Sequence, residues 1–319
     1  MALIINLALF LTSCIVLVLA GSWLVRSLSK ISGFLRISEF VAGFIIMALA
    51  TSLPELFVGI TSALTKNTAL LLGTVIGSNI ANLTIIAGIP ILLARGMKIK
   101  SRRTKTDALY LVFISIIPLT LMLIGRQLDR IDGAILIVIF FVYARRMYLQ
   151  RKIFKKEYEE DRFKRKTIFL TTLLFVISLA ILFFAAKFVV KYATALSLDL
   201  ALPPIIIGIF LIAIGTSLPE LAFGSQAAIK GHSEMVLGNL IGSNIANLTL
   251  ILGVTALIYP ISSDFLLFIT AGVYMLIITF LFATFVESGS KLYIKEGISL
   301  ILLYMFFIII EFYVKGLIT

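Results

Sequence analysis

The chain has 319 residues, 61% of them hydrophobic and 14% charged, with a mean hydropathy of +1.12 and a formal net charge of +12. A soluble domain of this length has no interior large enough to hide so much apolar surface, so lipid must be the solvent for much of it. The single cysteine, Cys14, excludes an internal disulfide, and the lack of a G-x-x-x-x-G-K-[ST] loop argues against ATP-driven pumping by this chain alone.

Ten apolar runs follow in chain order, near residues 3–25, 40–65, 69–94, 106–125, 131–148, 167–190, 203–229, 234–259, 264–286 and 293–314. Each is long enough to cross a bilayer as a helix, so the expected fold is an all-α polytopic membrane protein with ten transmembrane helices. The first run contains Leu11-Thr-Ser-Cys14, superficially a lipoprotein cleavage box. No basic residue precedes it and the apolar run continues past it, so it reads as a span rather than a signal peptide.

The second run carries Thr51-Ser-Leu-Pro-Glu-Leu56, and the third carries Ile76-Gly-Ser-Asn-Ile-Ala-Asn-Leu-Thr84. The seventh and eighth runs repeat them as Thr216-Ser-Leu-Pro-Glu-Leu221 and Ile241-Gly-Ser-Asn-Ile-Ala-Asn-Leu-Thr249, both 165 residues later. Two identical words at one offset mark a duplicated unit. Gly43 aligns with Gly208 at that offset, Leu72-Gly73 with Leu237-Gly238, and Gly21-Ser-Trp-Leu-Val25 more loosely with Ala186-Lys-Phe-Val-Val190. An odd number of spans per copy inserts the second copy upside down. The expected organisation is therefore two inverted five-helix repeats, 1–150 and 167–319, joined by a charged linker over 151–166.

Charge distribution orients the chain. The 1–2, 3–4, 5–6, 7–8 and 9–10 loops, with span ends, hold 22 of the 28 Lys and Arg residues. The other side has only Lys66, Arg126, Arg130, Lys187, Lys191 and Lys315. The positive-inside rule makes the rich side and the 151–166 linker cytoplasmic and puts both termini outside. Basic runs so placed need no nucleic-acid partner. His232, beside Lys230 and Glu234, reads as a solvated loop residue, and Glu311 as an interfacial residue near the outer end of the last span. Asp107, Glu287 and Glu296 also lie near span ends.

The repeated words put carboxylates inside membrane spans, where a charge is expensive and usually functional. Pro54 and Pro219 have no N–H to donate, so each should kink its span and free the carbonyls of Ala50 and Gly215. Thr51 and Glu55 lie four residues apart, as do Thr216 and Glu220, Ser78 and Asn82, and Ser243 and Asn247, so each pair can share a helix face. Related by a pseudo-two-fold, these faces can form a pocket of oxygens with two formal negative charges and no evident basic partner. Carboxylates sharing a dry cavity bind a proton or a cation. Hard oxygens without Cys or His disfavour zinc and copper. Two bidentate glutamates plus the carbonyls of Thr51 and Thr216 can offer six oxygens, which suits Ca²⁺ better than Mg²⁺, and Na⁺ is close to Ca²⁺ in size.

At these residues the chain resembles the sodium/calcium exchangers of the cation/calcium antiporter superfamily, in the compact prokaryotic form. That family carries two repeats with G-T-S-x-P-[ED] in one helix and G-S-N-x-x-N in the next. The resemblance implies Glu55 and Glu220 as central Ca²⁺ ligands, joined by backbone oxygens of Thr51 and Thr216 and by Asn82 and Asn247. It implies flanking Na⁺ sites from Ser52, Ser78, Ser217 and Ser243 with the carbonyls of Ala48 and Ala213. It further implies Na⁺/Ca²⁺ antiport by alternating access, with the first and sixth spans sliding over a more static bundle. Transported Ca²⁺ and Na⁺ are then substrates, and no cofactor is called for.

The chain departs from that pattern in three places. Ala50 replaces a glycine that Gly215 keeps, Thr74 stands where the second repeat has Asn239, and Asn247 stands where potassium-dependent relatives have Asp. H⁺/Ca²⁺ exchange through the same glutamates is the nearest alternative, and a passive cation channel a further one. An intramembrane enzyme lacks a nucleophile–His pair. The sequence sets no oligomeric state.

Overall fold

In a computed structural model of the chain, residues 2–34, 47–99, 101–149, 165–262 and 265–318 are described. Gly43 and the expected linker as far as residue 164 lie outside them. The first half holds α1 (Ala2–Phe34), α2 (Met47–Thr51), α3 (Leu53–Leu64), α4 (Thr68–Leu83), α5 (Ile85–Leu93), α6 (Arg102–Gly125) and α7 (Arg130–Leu149). The second holds α8 (Arg165–Asp199), α9 (Pro204–Ile207), a π-helical run Gly208–Ile212, α10 (Ala213–Thr216), α11 (Leu218–Ile229) and α12 (Ser233–Ala246). A second π-helical run, Asn247–Ile251, leads into α13 (Leu252–Ile258), followed by α14 (Phe265–Ser288) and α15 (Ile294–Ile318).

Among the described residues, seven helical stretches are long and apolar enough to cross a membrane. Pro204–Thr216 and Leu218–Ile229, bent by 41°, make an eighth if they form one broken span. Ten runs were expected, and the two that fall short have visible reasons. Leu53–Leu64 has 12 residues after its break and the run ahead of Met47 lies outside the described residues, while α7 carries Arg130, Asp132, Arg145 and Arg146 near its ends.

The breaks fall where the repeated words dictate. Ser52 (φ −83°, ψ 1°) separates α2 from α3, and Ser217 (φ −84°, ψ 4°) separates α10 from α11, each just ahead of the Leu-Pro pair. A proline near the start of a helix loses no intrahelical bond, so the chain restarts its helix there instead of carrying a defect in mid-run. The second word is less uniform. In the first half the helix breaks at Thr84 (φ −116°, ψ −91°), whereas the identical residues of the second half form the π-helical run from Asn247. Thr84 and Thr249 both donate their hydroxyls to the carbonyl four residues earlier, at Ile80 and Ile245. Such back-bonding weakens the main-chain ladder, and the two copies relieve it differently.

Equivalent contacts recur between the halves with partners exchanged. The α5 helix packs on α15, and its counterpart α13 packs on α7, while α6 lies against α14. Both exchanged contacts are made through glycine: a Cβ on Gly88 would lie 2.8 Å from the Gly297 carbonyl, and one on Gly253 would lie 2.9 Å from the Gly133 carbonyl. Small residues let backbones approach, which is how helices associate where lipid is as apolar as protein. The loops follow the same exchange. Met97–Lys98 pairs antiparallel with Lys291–Leu292, and Leu128 bridges Ile261. Lys66 (φ 60°) and Gly231 (φ 80°), again 165 residues apart, make the same left-handed turn.

The α1 and α8 helices stand somewhat apart from this bundle. They pack along each other through Phe10, Leu17 and Ala20 against Leu182, Ala186 and Val189, a cluster separate from the main core. On the bundle side that cluster is met by Val58, Leu70, Ile207 and Ile212, with Phe57 edge-on to Phe183 of α8 at 6.0 Å.

Within the second word Gly77 is pressed against a rigid neighbour: a Cβ there would lie 2.4 Å from the Ile209 carbonyl and 2.6 Å from its Cα. Backbone cannot yield as a side-chain tip can, so Gly77→Val should cost at least the ~1–3 kcal/mol typical of overpacking. Thermal unfolding of the purified protein should show its midpoint lowered by several degrees. Gly125→Ala, with nothing within 4 Å, should leave it unchanged; equal midpoints for the two variants would refute this packing.

Candidate functional site

Every residue of the two words that was expected to face an ion is buried. Thr51, Ser78, Asn82, Ser217, Ser243 and Asn247 are fully covered, Glu55, Thr216 and Glu220 are 1% exposed, and Ser52 is 3% exposed. Ala48 and Ala213 are covered as well. Glu55 sits in the first turn of α3 and Glu220 in the first turn of α11, directly after the breaks. A helix start directs its free N–H groups and positive dipole end toward such a carboxylate, while the preceding short helix ends in carbonyl oxygens. One break therefore offers both kinds of electrostatic support at the same depth.

The halves interlock at this point. Ser217 Oγ donates to Glu55 Oε1 across the repeat boundary at 3.4 Å. The hydroxyls of Thr216 and Ser217 face Glu55, those of Thr51 and Ser243 face Glu220, and the two carboxyls are close enough for each to feel the other's charge. Thr51 Oγ1 lies 3.3 Å from Ser243 Oγ and 3.3 Å from Asn239 Oδ1, and Ser243 Oγ donates to the Ala48 carbonyl at 3.3 Å. The Ala213 carbonyl accepts from Thr216 Oγ1 at 3.3 Å. The structure thus gathers Ala48, Thr51 and Ser243 into one knot and sets Glu55 against Ser217.

Many of these polar atoms have nothing to bond. Glu55 Oε2, both oxygens of Glu220, Ser52 Oγ, Ser78 Oγ and the side-chain amides of Asn82 and Asn247 are buried without a hydrogen-bond partner. Buried polar atoms are normally satisfied, and an isolated carboxylate in a low-dielectric interior is costlier still. No Lys or Arg pairs with either glutamate among the described residues; Arg146 pairs instead with Asp107, and Lys295 with Glu296. Nor does any cluster of three or more His, Cys, Asp or Glu side chains occur among them. What remains is a donor set of two carboxyls surrounded by neutral hydroxyl, amide and carbonyl oxygens. Chemically, that set fits a hard cation.

Three neighbours of the site were not read from the sequence as functional. Asn239 was legible only as a departure from the repeat, yet it accepts from Thr51. Gly21 of α1 lies between the two repeated prolines: a Cβ there would be 3.2 Å from Pro54 Cγ and 3.5 Å from Pro219 Cγ. Cys14, two turns earlier, lies against Gly215, its Sγ 3.6 Å from where a Cβ would stand. No motif marks either α1 residue, because their contacts are made by folding and not by spacing. Lys187 is exposed, with its Nζ 4.9 Å from the Phe183 ring centre, and His232 is exposed just ahead of α12. Both agree with the sequence. Glu311 does not: it is fully buried, so an interfacial position does not account for it.

The family described as sodium/calcium exchanger protein matches the chain twice, over residues 5–149 and 170–313. The sodium/calcium exchanger MaX1 of Methanosarcina acetivorans is 30% identical, over 97% of this chain and 99% of that protein. The inner membrane protein YrbG of Escherichia coli is 31% identical, over 86% of this chain and 87% of its own length. Solved structures of the sodium-calcium exchanger NCX_Mj superpose with a TM-score of 0.69 at 27% identity, covering 96% of this chain and 98% of that one. With a buried two-glutamate oxygen cluster at the centre of a helical membrane fold, and both halves matching the same family, the chain belongs to the sodium/calcium exchanger family.

Proposed function

We propose that the chain is a secondary-active antiporter that exchanges Na⁺ for Ca²⁺ by alternating access. The observation that carries this reading is the buried cluster of Glu55 and Glu220, whose carboxylate oxygens lack both a basic partner and, for three of the four, any hydrogen bond. One Ca²⁺ matches two carboxylates in formal charge. Glu55 and Glu220 bind it, with the Thr51 and Thr216 backbone oxygens and the Asn82 and Asn247 amides completing the middle of the cluster. Na⁺ occupies flanking positions built from Ser52, Ser78, Ser217 and Ser243 with the carbonyls of Ala48 and Ala213. The number of neutral oxygens favours Na⁺ over H⁺ as the driving ion, since a proton relay needs only the carboxyls. H⁺/Ca²⁺ exchange through the same glutamates is the reading to be beaten.

The proposed frame is ten spans in two inverted repeats, 1–150 and 167–319, joined by a cytoplasmic 151–166 linker, with both termini outside. It is supported by the double family match, by the exchanged glycine contacts, and by the pairing of loop 97–98 with 291–292 and of Leu128 with Ile261. Alternation through ten spans puts each of those loop pairs on one side of the membrane. The packing of α1 and α8 in a cluster of their own supports their sliding as a pair, with Gly21 riding over Pro54 and Pro219.

Three outcomes follow. In sealed vesicles loaded with Na⁺ and diluted into Na⁺-free medium, radiolabelled Ca²⁺ should enter without ATP. Glu55→Gln or Glu220→Gln should reduce that entry at least about a hundredfold, the scale of the ~3–5 kcal/mol lost on breaking a buried charge pair. Uptake that tracks a pH gradient and ignores Na⁺ would transfer the assignment to H⁺/Ca²⁺ exchange. Gly21→Val should slow transport while leaving equilibrium Ca²⁺ binding near the native value, because the added methyls meet proline rings and not ligands; a matched loss of binding would show that Gly21 acts on the site itself. For topology, an impermeant thiol reagent should label Thr319→Cys but not Tyr158→Cys in right-side-out vesicles of a Cys14→Ser background, and the opposite pattern would invert the orientation.

A further inference from the structure

Among the described residues, two buried carboxyls lie outside the ion cluster: Asp107, which Arg146 answers, and Glu311. Glu311 lies toward the C-terminal end of α15, fully covered, with neither oxygen hydrogen-bonded and no ion pair among the described residues. A bare carboxylate is not tolerated inside a membrane span, so the group must hold either a proton or a cation. The surroundings decide between them. A cation of the Na⁺ or Ca²⁺ kind needs about six oxygen donors, and here one carboxyl meets little beyond a single hydroxyl. That hydroxyl belongs to Thr270 of α14, which faces Glu311. Its oxygen lies 3.0 and 3.1 Å from the Leu266 and Leu267 carbonyls, which take its one hydrogen when Glu311 carries a proton of its own. Thr270 therefore presents lone pairs to Glu311. Lone pairs repel a carboxylate but can accept from the O–H of a carboxylic acid.

The other titratable groups nearby do not supply a charge. Tyr274, one turn from Thr270 on α14, donates to the Leu303 carbonyl at 2.7 Å. Tyr304 lies two turns earlier on the buried side of α15 and has no hydrogen-bond partner. The neighbouring α5 and α4 helices carry no ionisable side chain, and neither does the π-helical run Gly208–Ile212. Lys315, four residues beyond Glu311, is outside the residues whose side chains are described.

We propose that Glu311 is a proton-binding site separate from the Glu55/Glu220 cluster, holding its carboxyl neutral against Thr270. The site is joined to the helix that carries the second copy of the first word, Thr216–Leu221. Phe312, next to Glu311, stacks on Phe210 with ring centres 5.5 Å apart and planes 16° apart, and Phe307 packs on Phe210 at 5.6 Å. Phe210 lies in the π-helical run that leads to Thr216 and Glu220. Loss of the Glu311 proton would leave a charge beside this aromatic stack and disturb the α15 contact with that helix, so the exchange rate should depend on pH through Glu311.

The test uses the full-length protein reconstituted in lipid. Infrared spectra of the Ca²⁺-loaded wild type should contain a protonated-carboxyl C=O band that Glu311→Gln removes and Lys315→Met leaves in place. Glu311→Gln and Glu311→Leu should both fold, and the isosteric Gln variant should transport Ca²⁺ within about twofold of wild type with a flatter alkaline limb in its pH profile. The band is specific to Glu311 by difference, so it reports on this site even if Glu55 and Glu220 prove not to bind Ca²⁺. A spectrum unchanged by Glu311→Gln, a band that emerges only when Na⁺ is withdrawn, or one that emerges only in Lys315→Met would each overturn the proposal. So would failure of both neutral variants to fold, since that would show that the charge itself is required.

Discussion

Two carboxyls facing each other inside a bilayer constrain everything around them. Glu55 and Glu220 are each 1% exposed and, among the described residues, no arginine or lysine answers them. Replacing either partner by a basic residue would settle the electrostatics and abolish the vacancy for an ion. The fold instead leaves the charge uncompensated and surrounds it with groups that support a negative site without filling it. These are helix starts at Leu53 and Leu218, and hydroxyls contributed from the opposite half. Because each glutamate is faced by residues of the other repeat, neither half holds a complete site alone.

The prolines explain how a helix can present a carboxyl and free carbonyls at one depth. An unbroken helix consumes every main-chain carbonyl in its interior, and lipid tolerates no loop. A break at Ser52 or Ser217, followed by a proline where no N–H is needed, frees carbonyls on one side and N–H groups on the other within a single turn. The surrounding helices are correspondingly small-surfaced at the contact, with Gly73, Gly77 and Gly208 each within 2.4 Å of a neighbouring carbonyl if given a Cβ. Close backbone packing holds the broken segments without placing bulky side chains in the ion's space.

How much of this was legible in the sequence depends on the kind of signal. The words at Thr51 and Ile76 and their copies are explicit, and from them the paired glutamates, the kinks and the oxygen cluster follow without a structure. Burial of Glu311 was not legible, nor the approach of Gly21 to both prolines. In water a helix reveals its inner face by the polarity of its outer one, but in lipid both faces are apolar, so periodicity no longer says which side is in. The second word shows a further limit. Identical residues give a break at Thr84 and a π-helical run at Asn247–Ile251, so the difference must come from what packs against them. Local sequence set the strain, and tertiary contacts chose its release.

In the exchange proposed above, an ion site and a moving gate make opposite demands on packing, and the helices can divide them. Ligands must be held within a fraction of an ångström, which favours glycine-mediated backbone contact of the kind that joins Gly77 to Ile209. Sliding requires an interface without interlocking side chains. The α1 helix meets the breaks through Gly21 and Cys14, two small residues, against proline rings and the bare backbone of Gly215. In that proposal the small-surfaced α1 moves with α8 over the two kinks, while the candidate ligands on α2, α3, α4, α10, α11, α12 and the run from Asn247 keep their spacing. Rigidity at the cluster and slip at its lid are then properties of different residue contacts, and a substitution can alter one without the other.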